Sequence, residues 1–191
     1  MHPIDPSPPA ACARIRAALD AHAVGAPLAK PLGPLLHALA ASKGSGTILC
    51  LGSNAGEAGA WILDGMSLSS GLVILVREPH EKAAVERELA RDIRVSVHQQ
   101  DAEEFLRDVH AHRFDLIAHL DAGEAPTVAQ LALGLLRSGG FYVAGPTGEA
   151  LDALLADFAA DAYSIAPLAG AADAVLVTRR QQPRRPRRRS R

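Results

Sequence analysis

Residues 48–61 read ILCLGSNAGEAGAW. Ile48 to Leu51 form an apolar run that leads into a turn carrying Gly52, Ser53 and Asn54, and glycines recur at 56 and 59 before Trp61. A run this short, bounded at once by glycine, reads as a buried strand, and the segment after the turn reads as a helix. Strand, glycine turn and helix in immediate succession open a parallel α/β unit. In such a unit the backbone at the turn can approach a ligand, and the helix N-terminus presents unpaired N–H groups. The same turn serves equally as a structural corner, since any tight strand-to-helix turn favours glycine. On its own the motif assigns no ligand.

Working outward, runs rich in Val, Ile and Leu at 47–51, 72–76, 94–98, 114–120 and 141–144 predict strands. Stretches of helical spacing separate them. Segment 81–91, EKAAVERELAR, places Ala84, Val85 and Leu89 on one face and charges on the other; 102–109, 127–137 and 147–161 behave likewise. Ser138-Gly139-Gly140 reads as a helix stop, and 31–43 as a helix ahead of the first strand. This alternation implies parallel strands with right-handed crossovers. The end differs: 163–168 and 174–178 are joined by a link too short for a crossover helix, so they predict an antiparallel hairpin. The expected fold is a Rossmann-like α/β domain: a seven-stranded, mostly parallel sheet, helices on both faces, and a C-terminal antiparallel hairpin.

Bulk properties agree with one domain. The chain has 191 residues and 48% hydrophobic content, enough for one sizeable core. No run approaches the roughly 18 apolar residues that span a bilayer. The start, MHPIDPSPPA, carries prolines and an acid instead of a basic-then-apolar leader, and Cys12 and Cys50 are too few for a disulfide framework. A soluble cytoplasmic protein is the expectation, with 1–30 a flexible N-terminal segment, 31–178 the folded domain and 179–191 a disordered tail. That tail, RRQQPRRPRRRSR, holds eight arginines and no acids, and without it 12 basic side chains face 21 acidic ones. Two readings stand for it: weak, non-specific polyanion binding through counterion release, or a solvated tail with no fixed partner. No aromatic residue interleaves the arginines to stack on bases.

Five further segments sharpen the reading. PLGPLLHALAASKGSGTILCLGSNAGEAGAWIL at 31–63, LVILVREPHEKAAVERELA at 72–90, QQDAEEFL at 99–106, FDLIAHLDA at 114–122 and LLRSGGFYVAG at 135–145 occur in that order. Together they resemble the S-adenosylmethionine-dependent class I methyltransferases, nearest to the small O-methyltransferases related to the catechol and caffeoyl-CoA enzymes. The resemblance implies S-adenosylmethionine as cofactor, a small-molecule methyl acceptor, no membrane, and a homodimer paired through helices flanking the sheet. By position, backbone at Gly52, Ser53, Asn54 and Gly56 would follow the methionine part of the cofactor. Asp101 and Ala102 would meet the adenine and Asp121 would face the methyl-donor end; Glu78 matches the acid of the family's Asp-Pro turn, and it is the alternative group to reach the ribose. Asp101 reads equally well as the N-cap of the helix beginning at Ala102.

The family pattern also breaks. Cys50 and Val76 stand where the family carries acids, the latter gripping both ribose hydroxyls, and Asn54 stands where it carries glycine. Metal-dependent relatives bind Mg²⁺ through the Asp matching Asp121 and an Asp-Asn pair that here reads Gly145-Pro146, and their lysine is Glu124. One carboxylate does not hold a hard cation against water, so no Mg²⁺ site is expected. His119, two residues before Asp121 on the same strand face, is the nearest alternative base; it reads equally as a hydrogen-bonded core residue. The leading expectation is metal-free O-methyl transfer to a small molecule. The alternative is a catalytically inactive methyltransferase-fold protein that binds or regulates a partner. A dinucleotide oxidoreductase fits poorly, because Tyr142 and Tyr163 are followed four residues on by Pro146 and Pro167 rather than by the lysine of short-chain dehydrogenases.

Overall fold

A computed structural model describes residues 7–22, 27–122, 125–146, 148–157, 162–168 and 174–180. Two helices, α1 (Ala10–Asp20) and α2 (Leu32–Ala41), precede an alternating series. It runs β1 (Thr47–Leu51), α3 (Ala55–Gly65), β2 (Gly71–Val76), α4 (Pro79–Leu89), β3 (Val95–Gln99), α5 (Ala102–Asp108) and β4 (Phe114–His119). Next come α6 (Pro126–Leu135), β5 (Leu136–Ala144), α7 (Glu149–Asp157), β6 (Tyr163–Leu168) and β7 (Ala174–Arg179). The seven strands form one sheet in the order β3-β2-β1-β4-β5-β7-β6. The first five are parallel; β7 pairs antiparallel with both β5 and β6. The expected architecture is therefore present, including the terminal hairpin.

Strand alternation divides the core into two layers. Ile48 and Cys50 of β1 face α1, α2 and α3, whereas Leu49 and Leu51 face α5, α6 and α7. Chain order reverses at β1, whose neighbours are β2 on one side and β4 on the other. The C-terminal ends of β1, β2 and β4 meet there, at the position where open α/β sheets form a crevice. Backbone hydrogen bonds from Leu120 to Leu51 (2.9 Å) and from Gly145 to His119 (3.0 Å) continue the ladder past the strand ends and hold this rim in place. Among the described residues no helix is long and apolar enough to cross a membrane.

Three sequence expectations differ from the structure. Residues 10–20, expected to be flexible, form α1. Cys12, Ile15 and Leu19 lie one helical turn apart and are buried, the last two completely, against α3 and α4. Burying a Leu or Ile is worth about 1.5–3 kcal/mol each, enough to dock a helix whose other face is charged. The tail also begins later than position 179. Arg179 belongs to β7 and donates to the Leu136 carbonyl (2.6 Å), and the Arg180 N–H donates to the Ala162 carbonyl (2.9 Å); positions 181–191 lie outside the described residues. Finally, α6 stops at Leu135, before Ser138-Gly139-Gly140. Leu136 pairs with Phe114 across an irregular register, so strand pairing claims the chain before the glycines do.

Candidate functional site

At the C-terminal ends of β1, β2 and β4 lies a cavity of about 300 Å³, at the lower end of the range for small-molecule pockets. Its floor is Leu51, Gly52 and Ser53 from the end of β1 with Leu75 and Val76 from β2. Arg77, Glu78 and Glu81 rise on one side, Asp101 and Ala102 on another, and His119 and Asp121 close it. Seven of the residues singled out in the sequence thus meet in one place: Gly52, Ser53, Glu78, Asp101, Ala102, His119 and Asp121.

Gly52 is the conformational key. Its φ is +105°, a region that side chains rarely adopt, and a Cβ there would stand 2.7 Å from Asp121 Oδ1 and 2.9 Å from the Leu120 nitrogen. The bare backbone lets the chain turn out of β1 beside the end of β4 without filling the space between them.

Asn54 and Gly56 stand apart from the cavity walls. Asn54 occupies the N-cap position of α3 without a side-chain cap bond, and its Oδ1 is buried and unpartnered. Gly56 is a packing glycine: a Cβ on it would sit 2.6 Å from Val85 of α4 and 3.1 Å from Ile15 of α1. Spacing along the loop cannot separate a glycine that admits a ligand from one that admits a neighbouring helix.

Asp121 and His119 form the polar end. His119 is 1% exposed, and both of its ring nitrogens are engaged. Nε2 lies 3.1 Å from Asp121 Oδ1 and Nδ1 lies 2.9 Å from the Tyr142 hydroxyl. A neutral imidazole satisfies this chain when Tyr142 donates to Nδ1 and Nε2–H donates to the carboxylate. His119 therefore orients Asp121 and has no lone pair left to take a proton from a substrate. Burial alone would raise the Asp121 carboxyl; the hydrogen bond from His119, with the charge of Arg77 beyond, brings it below the ordinary aspartate range. It stays ionised and accepts hydrogen bonds. The buried Tyr142 hydroxyl is pushed well above the ordinary tyrosine range by desolvation, then by the Asp121 charge, so it keeps its proton.

Asp101 caps α5, its Oδ1 accepting from the Glu103 (2.9 Å) and Glu104 (3.1 Å) backbone N–H groups. The cap reading is correct; Asp101 also lines the cavity, and its second oxygen takes no part in the cap. Replacement by Ala should cost about 0.5–2 kcal/mol of stability through the lost cap. Asp101→Ser keeps a capping hydroxyl and removes the second oxygen together with the negative charge. If that oxygen serves a ligand, Ser should match the wild type in thermal melting yet bind more weakly in calorimetry; equal affinity would leave Asp101 as a cap alone.

Two site residues escape a linear reading. Glu81 is 3% exposed, walls the cavity, and has an unpartnered buried Oε1. In sequence it is one acid in the first turn of a charged helix, a routine helix-start residue. Tyr142 looks like any strand aromatic until register is known: it pairs with Ile117, one same-face step from His119.

The donor set does not fit a divalent metal. Gly145-Pro146 contribute no side-chain oxygen beside Asp121, and among the described residues no group of three or more His, Cys, Asp or Glu is disposed to hold an ion. The walls do fit an adenosyl-type ligand: an open glycine turn, an apolar floor, and carboxylates at both ends.

No protein-family model and no curated protein sequence matches the chain. Solved structures do. The O-methyltransferase from Bacillus cereus in complex with SAH superimposes with a TM-score of 0.73 at 18% identity, covering 93% of this chain and 94% of the other. The O-methyltransferase TomG from Streptomyces achromogenes, involved in tomaymycin synthesis and solved with SAM, gives 0.73 at 18% identity and 90% of each chain. A Corynebacterium glutamicum protein gives 0.75 at 20% identity and 92% of each chain. Along at least nine-tenths of its length, this chain adopts the fold of the solved O-methyltransferases.

Proposed function

We propose that this chain binds S-adenosylmethionine and transfers its methyl group to an oxygen of a small molecule without a metal. The observation that carries the reading is the cavity itself. It opens at the chain-order reversal, where Gly52 leaves a gap that any side chain would fill and Asp121 stands at its edge. The cofactor, when bound, supplies a methyl group activated on a sulfonium sulfur.

The chain's own residues supply binding, orientation and exclusion of water. Backbone at Gly52 and Ser53 lies along the ligand, with Asp101 and Ala102 at the end away from Asp121. Tyr142 and His119 lock the Asp121 carboxylate in one rotamer, so that it can receive a hydrogen bond from an acceptor hydroxyl. With its affinity for protons lowered, Asp121 orients that hydroxyl more than it deprotonates it. Holding two reactants in line inside the cavity can supply a rate factor equivalent to about 7–11 kcal/mol. This makes a metal dispensable.

Val76 favours a second reading, ligand binding without chemistry. Its apolar side chain walls the cavity where a ribose carboxylate would add a charge-assisted bond of about 1.5–3 kcal/mol. Titration calorimetry with S-adenosylmethionine and S-adenosylhomocysteine, joined to a methyl-transfer assay over a panel of phenols and alcohols, separates the two. Binding with transfer supports the enzyme, and binding without transfer supports the sensor or scaffold. No heat at millimolar ligand defeats both.

A further inference from the structure

Among the walls of the cavity, Glu81 has the least explanation as a structural residue. It lies in the first turn of α4, 3% exposed, and its Oε1 is buried with no hydrogen-bond partner. A buried acceptor left unmade is costly, and native structures keep few of them without a reason. The nearby Glu57 shows the usual solution. It is buried to a similar degree, yet Arg16 (3.1 Å) and the Leu28 N–H (3.3 Å) take its two oxygens. Glu81 takes a backbone N–H from Arg77 and feels its charge, but among the described residues no ion pair or side-chain donor reaches its Oε1. The groups facing it are Cys50 from β1, Arg77 and Glu78 from the turn before α4, and Asp121 from the end of β4, with His119, Asp101 and Glu103 elsewhere in the lining.

Five carboxylates thus line the cavity against one guanidinium, that of Arg77. Glu81 and Asp121 line the same cavity, and the charge of Asp121 disfavours that of Glu81. Two carboxylates are too few oxygen ligands for a hard divalent ion, but a single positive charge on a soft organic cation needs only to be faced.

We infer that Glu81, with Asp121, is the specificity-determining group through which the cavity prefers a cationic sulfonium ligand over its neutral thioether counterpart. The inference rests on the cofactor reading under Proposed function. Its functional meaning is direct: methyl transfer turns the sulfonium into a thioether, so a cavity selective for the charge holds the methyl donor and releases the spent product. A role in grasping a group common to both molecules, a ribose hydroxyl or the amino-acid ammonium, produces no such difference.

The test is calorimetry of the wild type and Glu81→Gln with S-adenosylmethionine and S-adenosylhomocysteine at pH 8. Gln keeps the shape and removes only the charge. Affinity for the sulfonium should fall on the order of tenfold while that for the thioether stays within about twofold. Equal losses for both ligands, or no loss for either, overturn the inference while leaving the cofactor reading intact. A wild type that binds neither ligand overturns the cofactor reading, and this inference with it.

A second readout uses the wild type alone, should the variant fold poorly. Titrations at pH 6 in buffers of different ionisation enthalpy should show a proton expelled on sulfonium binding and none on thioether binding. Equal proton release for the two ligands overturns the assignment.

Discussion

Gly52→Val should lose roughly 3–5 kcal/mol of stability and all measurable ligand binding. Two costs combine. A residue forced to φ +105° leaves its allowed region, and a β-branched residue tolerates this worst. The added Cβ would also stand 2.9 Å from the Leu120 nitrogen, a backbone atom tied to the Leu51 carbonyl at 2.9 Å and unable to swing aside as a flexible side chain would. Against a total of about 5–15 kcal/mol for a domain, such a loss is near the limit of folding. Urea denaturation measures the first part and calorimetry the second. A variant with wild-type stability would show that the turn can relax, and that Gly52 is there for neither geometry nor space.

The second large effect is a gain. Glu81→Gln should make the ligand-free protein more stable at pH 8, by about 3 kcal/mol, and leave it nearly unchanged at pH 4.5. Burial pushes the Glu81 carboxyl up to about 7, and the charges of Asp121 and Glu78 add to this against the backbone N–H and charge of Arg77. The sign comes from a folded pKa raised above its unfolded value. Below about pH 4.5 the group is neutral in both states and burial costs little. Between about 4.5 and 7 the unfolded chain releases the proton while the folded chain holds it, so stability falls as pH rises; above 7 the full cost remains. The neutral amide has no such penalty. Thermal or urea melts of both proteins at pH 4.5, 6 and 8 should therefore diverge with rising pH. Parallel curves would mean that Glu81 is solvated or paired. A destabilising carboxylate that persists in a cavity is the usual signature of a group kept for binding.

The layer architecture could be read from residues near one another in the chain. Runs such as Leu72–Val76 have the apolar continuity of strands buried on both faces, and 81–91 has one apolar face, so a parallel sheet between helices is implied by local pattern alone. Asp101 and Asp121 were legible through the family resemblance: each sits two residues beyond a strand end, where parallel sheets gather their ligand-facing groups. Helix α1 was not. Its three buried side chains are separated by charges and preceded by prolines, and only the presence of α3 and α4 makes that spacing worth burying.

Seven strands, their direction and the turn at Gly52 were thus contained in the linear sequence, because period and punctuation are properties of neighbours along the chain. What Gly56 touches, which hydroxyl holds His119, and that Glu81 faces Asp121 were decided only by tertiary structure. Each depends on side chains brought together by helix packing or strand register, and a change of one residue in register would send Tyr142 to the opposite face of the sheet.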